Sequence, residues 1–124
     1  MITLLYIAAL FAFAIGVAHS VLGERYILTR LFRRDDLPQL MGSAEFTMRT
    51  LRFAWHLTTI AWWGFAAIIF LLAQHSISFQ SLSTVLAVTF LVTGAITLVV
   101  SRGRHVAWPV FLFIGGACLY AATS

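Results

Sequence analysis

The 124-residue chain is 61% hydrophobic and only 10% charged, whereas soluble domains carry about 25% charged residues. A soluble fold of this size could not bury so much apolar surface, so the composition excludes an ordinary soluble domain and favours lipid as the main solvent. The formal net charge is +4, and every basic residue apart from histidine is an arginine.

Four apolar segments are each close to the length of about 20 residues that a membrane-spanning helix needs. In chain order they are residues 2–22, 53–73, 82–100 and 106–123. The last is slightly short, and it carries Pro109 in its first turn, where proline is tolerated. The pattern predicts an all-α integral membrane protein of one domain, residues 1–124, folded as an antiparallel four-helix bundle.

All of the Arg, Asp and Glu residues lie in two connectors, residues 23–52 and 101–105. Because consecutive spans alternate in direction, these connectors share one side of the membrane, and the positive-inside rule makes that side cytoplasmic. We therefore expect a bacterial inner-membrane protein whose two termini lie in the periplasm. The first apolar segment lacks a basic n-region and a clean cleavage site, so it is expected to be retained as a span.

The long connector at residues 24–42 falls into two parts. The first, ERYILTRLFRR, is amphipathic and predicts either an interfacial helix or an extension of the first span. The sequence DDLP then breaks the helix, and Ser43 is a plausible N-cap for a second helix that starts near Ala44. In the shorter connector, SRGRH, Gly103 can adopt the positive φ that ends a helix.

Small and hydroxyl side chains recur every four residues on two of the spans. On the first span these are Ala8, Ala12, Gly16 and Ser20, and one more step reaches Glu24. On the third span they are Thr89, Thr93, Thr97 and Ser101. Both stripes predict close helix packing. The single cysteine, Cys118, excludes an intramolecular disulfide and is expected to be a packing residue.

Ionisable residues converge on the predicted cytoplasmic end of the bundle. His19 and His56 lie at similar depths, about one turn inside their spans. Ionisable side chains at such depths usually face the bundle interior and pair with each other. We therefore expect an ion pair between Glu24 and either Arg52 or Arg25.

One interpretation of this polar cluster is structural, with the side chains tying helix ends together and anchoring them to anionic headgroups. Another is a binding site for an anionic lipid headgroup, a quinone or a phosphorylated ligand, because arginine binds phosphate with two hydrogen bonds. Such a site would lie between the first, second and fourth helices. Its predicted residues are Glu24, Arg49, Arg52, His56, Arg102, Arg104 and His105.

The alternative is a redox protein that binds haem or a metal. His19 and His56 could be the axial ligands of haem b, or they could join His105 and Glu24 around a single transition metal. No span carries an HxxxH or ExxH pair, and the nearby arginines would repel a cation.

Catalysis by His56 with Ser20 or Thr59 ranks below these hypotheses, so an enzyme is not the leading expectation. The expected partners are the lipid bilayer and either further copies of the chain or a larger membrane complex. Nucleic acid is not expected.

Overall fold

A computed structural model describes the whole chain, Met1–Ser124, as an all-helical fold. The long helices are α1 (Ile2–Leu31), α2 (Ala44–Ala73), α3 (Phe79–Val100) and α4 (Ala107–Thr123). The first three are long and apolar enough to cross a membrane, and α4 is a shorter apolar helix of 17 residues. The predicted all-α class is confirmed, and the helices indicate an integral membrane protein.

Helix α1 continues well beyond the predicted end of its span at residue 22. The segment Gly23–Leu28 is π-helical, and a last α-helical turn, Thr29–Leu31, follows it. The Thr29 hydroxyl donates a hydrogen bond to the Glu24 carbonyl within this widened stretch. Part of the amphipathic connector is therefore an extension of the first helix, as one of the two predictions had it. Such π-helical turns are frequent at functional sites, and this one carries Glu24.

Several other helix ends follow the sequence predictions. The Ser43 hydroxyl caps α2 by accepting a hydrogen bond from Phe46 N at 3.1 Å. Gly103 has a φ of +74° in the turn that leads from α3 to α4. Helix α3 begins at Phe79 rather than at residue 82, because Ser78 and Ser81 form a capping box ahead of the apolar segment.

The four helices form an open row in chain order and not a closed bundle. Cα atoms within 8 Å connect α1 to α2, α2 to α3 and α3 to α4, and no other pair of long helices. Neighbours are antiparallel: on α1 and α2, for example, Tyr6 lies beside Phe70 and His19 beside Trp55. The backbone of α4 approaches α3 alone, and the site expected between the first, second and fourth helices stays a prediction.

The small residues of α1 form its contact with α2, as predicted, but with a shift in position. Gly16 is buried, and a Cβ atom added there would lie 2.8 Å from Trp63 Nε1. Towards the start of the helix, Ala9 is buried while Ala8 is exposed.

The hydroxyl stripe of α3 is also a packing surface. Thr93, Thr97 and Ser101 are all buried, and the Thr97 hydroxyl donates to the Thr93 carbonyl one turn back at 2.8 Å. This arrangement confirms the prediction of close packing on α3.

The arrangement of the row brings all charged side chains to one end. The end of α1, the start of α2 and the α3–α4 turn all lie there, because neighbouring helices run in opposite directions. We call this the charged end; the termini and the α2–α3 loop lie at the opposite end.

Candidate functional site

The structure divides the predicted polar cluster into two sites at the charged end. The first site, between α1 and α2, contains Glu24, Arg52 and His56. The second site is a pocket between the start of α2 and the end of α3, and its lining includes Arg49, Arg102 and Arg104. His19 and His105 line neither, so the predicted residues do not form one continuous site.

In the first site, an ion pair and a histidine connect α1 to α2. Arg52 holds Glu24 with two donors: Nε lies 3.2 Å from Oε2, and Nη2 lies 2.9 Å from Oε1. His56 Nε2 lies 3.2 Å from the same Oε2 atom, and His56 Nδ1 lies 2.8 Å from Ser20 Oγ. The predicted pairing of Glu24 with Arg52 is confirmed.

Two hydroxyl groups extend this site into the interior. Ser20 Oγ lies 2.6 Å from Thr59 Oγ1, and the Thr59 hydroxyl donates to the Gly16 carbonyl at 3.0 Å. Thr59 is buried, whereas the side chains of Glu24 and His56 are 37% and 31% exposed. The first site is thus an unbroken polar chain from the exposed edge of the row to its interior, and we call it the α1–α2 polar chain.

The second site is a polar pocket with a volume of about 360 Å³. It is lined by Ser43, Glu45, Phe46, Arg49, Ser101, Arg102 and Arg104, and we call it the arginine pocket. The sequence predicts its three arginines as binding residues, whereas it indicates Ser43 only as a helix cap and Ser101 only as the end of the hydroxyl stripe.

The charge of the arginine pocket is unbalanced. Arg49 is held by Glu45, with Nη2 2.5 Å from Oε1, and its Nη1 donates to the Val100 carbonyl at 3.5 Å. Arg102 and Arg104 are exposed and have no carboxylate within 4.0 Å. Three guanidinium groups against one carboxylate leave a net positive charge, which favours the binding of an anion.

An apolar groove of about 380 Å³ also lies between α2 and α3, and it shares no lining residue with the arginine pocket. On α2 it is lined by Ile60, Trp63, Gly64 and Ala67, and on α3 chiefly by Val85, Val88, Thr89, Val92 and Ile96. Arg49 and Ile60 are eleven residues apart, close to three full turns, so the pocket and the groove lie on one face of α2.

His19 and His105 have packing roles. The His19 ring stacks on Trp55 with centroids 4.6 Å apart, and its Nε2 donates to the Trp55 carbonyl at 3.2 Å. In return, Trp55 Nε1 donates to the His19 carbonyl at 3.1 Å. His105 contacts the rings of Phe46 and Phe53, with centroids 6.4 and 5.0 Å away.

The residues predicted to bind a metal are thus placed in three different settings. No three His, Cys, Asp or Glu side chains form a group that could hold one metal ion. The Nε2 atom of His19 faces a backbone carbonyl, and that of His56 faces Glu24. The two rings therefore present these nitrogens to different partners.

No protein-family model, curated protein or solved structure matches the chain. The fold and the two sites define a helical integral membrane protein with an arginine pocket and a polar chain at one end.

Proposed function

We propose that this protein binds a phosphate-bearing amphiphile, such as an anionic phospholipid, with the arginine pocket as the phosphate site. The observation that carries the proposal is the pair of arginines, Arg102 and Arg104, that face the pocket without a carboxylate partner. Arginine binds phosphate through two parallel, charge-assisted hydrogen bonds, which are roughly twice as strong as neutral ones. The hydroxyls of Ser43 and Ser101 add further hydrogen-bonding groups to the lining.

The apolar groove supports a lipid rather than a small soluble anion. Arg49 and Ile60 are about 16 Å apart along the axis of α2, at 1.5 Å per residue. A phosphate held by Arg49 would place an attached acyl chain along this face, towards Ile60 and Trp63. A soluble phosphate would leave the groove unused.

In this proposal the charged end faces the cytoplasm of a bacterial inner membrane, and both termini face the periplasm. The orientation is supported by the distribution of arginine: all eight lie at the charged end. The cytoplasmic leaflet has a negative surface potential from its anionic lipids, so suitable headgroups would be present at the pocket.

Retention of lipid after purification tests the phosphate site. Native mass spectrometry of protein from nanodiscs with equal phosphatidylglycerol and phosphatidylcholine should show preferential retention of phosphatidylglycerol. Each arginine near an anionic surface contributes about 1 kcal/mol. The double variant Arg102→Gln/Arg104→Gln should therefore reduce that preference about 10- to 30-fold.

The matched control removes the same charge from outside the pocket. Arg30 and Arg33 are exposed, have no carboxylate partner and do not line the pocket, so Arg30→Gln/Arg33→Gln should keep the preference. Equal losses in the two double variants would contradict the proposal, because retention would then follow net charge alone. If inorganic phosphate competes with phosphatidylglycerol for retention, the site binds phosphate without an attached acyl chain.

A further inference from the structure

The hydrogen bonds of the α1–α2 polar chain can be assigned donors and acceptors one by one, because each hydroxyl carries a single hydrogen. The Gly16 carbonyl can only accept, so the Thr59 hydroxyl donates to it. Ser20 Oγ, 2.6 Å from Thr59 Oγ1, must then be the donor in that pair. The hydrogen of Ser20 is thereby used, so Ser20 accepts from His56 Nδ1, which must carry a hydrogen.

The other ring nitrogen of His56 faces a carboxylate. Its Nε2 atom is 3.2 Å from Oε2 of Glu24, while Arg52 donates to both oxygens of the same group. A neutral ring with its hydrogen on Nδ1 would present a lone pair to this oxygen. Two acceptors at that distance repel each other, so the contact requires one more hydrogen.

We propose that the contact between His56 and Glu24 is a proton-binding site, with the bound proton on Nε2 of His56. The proton comes from the solvent: an O–H bond of a hydronium ion breaks as the N–H bond forms, and water is left. With the proton in place, every donor in the polar chain has an acceptor, from Arg52 to the Gly16 carbonyl. When the proton leaves, the chain breaks between His56 and Glu24, and α1 and α2 lose a link at the charged end.

Few groups face the proposed proton. Helix α1 contributes Glu24 and Ser20, and α2 contributes Arg52, whose guanidinium lies 5.0 Å from the ring of Phe32. Neither α3 nor α4 supplies a hydrogen-bond partner to His56, and the two arginines of their turn line the separate arginine pocket. The His56 side chain is 31% exposed, so the protein does not fully enclose the ring.

The same assignment argues against Ser20 as a nucleophile activated by His56. A histidine base must present a bare nitrogen to the hydroxyl whose proton it removes. Here Nδ1 carries a hydrogen and donates it to Ser20. Glu24, His56 and Ser20 therefore share the order of a hydrolytic triad but not its direction of hydrogen bonding.

Nitrogen-15 NMR of histidine-labelled protein in lipid nanodiscs tests the proposal on the wild-type chain, because protonated and bare ring nitrogens differ in shift. The signals of His56 are those that disappear in His56→Gln. We expect both of its nitrogens to carry a hydrogen, with Nδ1 bonded to Ser20 and Nε2 bonded to Glu24. A bare Nδ1 with a protonated Nε2 would overturn the proposal.

The variant Glu24→Gln tests whether the contact with His56 requires a bound proton or only a hydrogen bond. The glutamine amide can donate to a bare Nε2, so the chain closes with a neutral ring. We expect Nε2 to be bare in this variant under the conditions in which it carries a hydrogen in the wild type.

The matched control is Glu45→Gln, which breaks the carboxylate pair with Arg49 without touching a histidine. It should keep the hydrogen on Nε2 of His56. A hydrogen on Nε2 that is present equally in the wild type and in Glu24→Gln would overturn the proposal, whatever the outcome for the arginine pocket.

Discussion

The indole of Trp55 lies directly against Gly23, so closely that a Cβ atom added to Gly23 would overlap the indole nitrogen. Gly23 is the first residue of the π-helical segment, and the next residue is Glu24. The contact therefore fixes the separation of α1 and α2 immediately beside the α1–α2 polar chain. Only glycine permits this approach without displacement of the ring.

We expect Gly23→Ala to destabilise the protein by about 1–3 kcal/mol, the usual cost of adding a methyl group where packing is tight. Chemical unfolding in lipid or detergent would measure the loss. Replacing Trp55 by leucine in the same chain should recover part of it, since the smaller side chain leaves space for the added methyl. A Gly23→Ala protein as stable as the wild type would show that the two helices can separate freely here.

Two adjacent glycines on α4 make a second, internally controlled prediction. A Cβ atom at Gly115 would lie 2.7 Å from the Leu91 side chain and 2.8 Å from its backbone nitrogen, whereas one at Gly116 would meet nothing within 4 Å. Gly115→Ala should therefore weaken the α3–α4 contact by about 1–3 kcal/mol. Gly116→Ala should leave stability unchanged or slightly raised. The same unfolding assay would contradict this packing if the two variants behaved alike.

The hydroxyl group of Thr59 should contribute to the free energy of unfolding through its hydrogen bonds, in addition to the packing of the side chain. Thr59→Val keeps the shape but removes the donor to the Gly16 carbonyl and the acceptor for Ser20. We expect a loss of about 1–3 kcal/mol in the free energy of unfolding, because buried polar partners are left unpaired. Thr84→Val is the control, since that hydroxyl bonds only to the Gln80 carbonyl of its own helix and is exposed. Equal effects of the two substitutions would argue against the interhelical role.

Outside the spans, a hydrogen bond from the Arg34 guanidinium, 2.6 Å away, lowers the pKa of the Asp36 carboxyl from its ordinary value. A lowered pKa in the folded state stabilises the fold above the ordinary value, and the contribution is lost as the pH falls through the folded value. Arg34→Gln should raise the pKa of Asp36 back towards that of a free aspartate, as a carbon-13 NMR titration would show. Because both groups are exposed, the accompanying change in unfolding temperature should be small. An unchanged titration would mean that the pair does not persist in solution.

The proposed orientation is testable with single cysteines in a Cys118→Ala background. A cysteine at Gln80, exposed at the start of α3, should react with an impermeant thiol reagent added to the periplasmic side of intact cells. A cysteine at Arg33, exposed at the opposite end, should react only after the inner membrane is permeabilised. The reverse labelling pattern would show that the protein has the opposite orientation in the membrane.

Local chemistry explains what could be predicted from the sequence. The cap at Ser43 and the positive φ of Gly103 depend on a few neighbouring residues, so their patterns were sufficient. The pairing of Glu24 with Arg52 followed from the cost of an unpaired charge near hydrocarbon. None of these predictions required knowledge of which helix faces pack against each other.

The division into two sites could not be predicted, because it depends on which helix faces meet. His19 and Ser20 are adjacent, so their side chains point about 100° apart, and only Ser20 faces His56. Depth in the span alone makes His19 and His56 equal candidates for the site. Similarly, apolar length identifies spans but does not distinguish a row from a closed bundle, since lipid covers the outer surface in both.

The open row also affects the bilayer around it. At 1.5 Å per residue, α3 is about 33 Å long and α4 about 26 Å, compared with a hydrocarbon thickness of about 30 Å. Because α4 has a single neighbour, its other faces have no longer helix to shield them from this mismatch. In a membrane, the bilayer would have to become thinner along the α4 edge but not along α1. The protein would thus impose an asymmetric thickness gradient on its surroundings, and bilayers of shorter acyl chains would suit its C-terminal edge best.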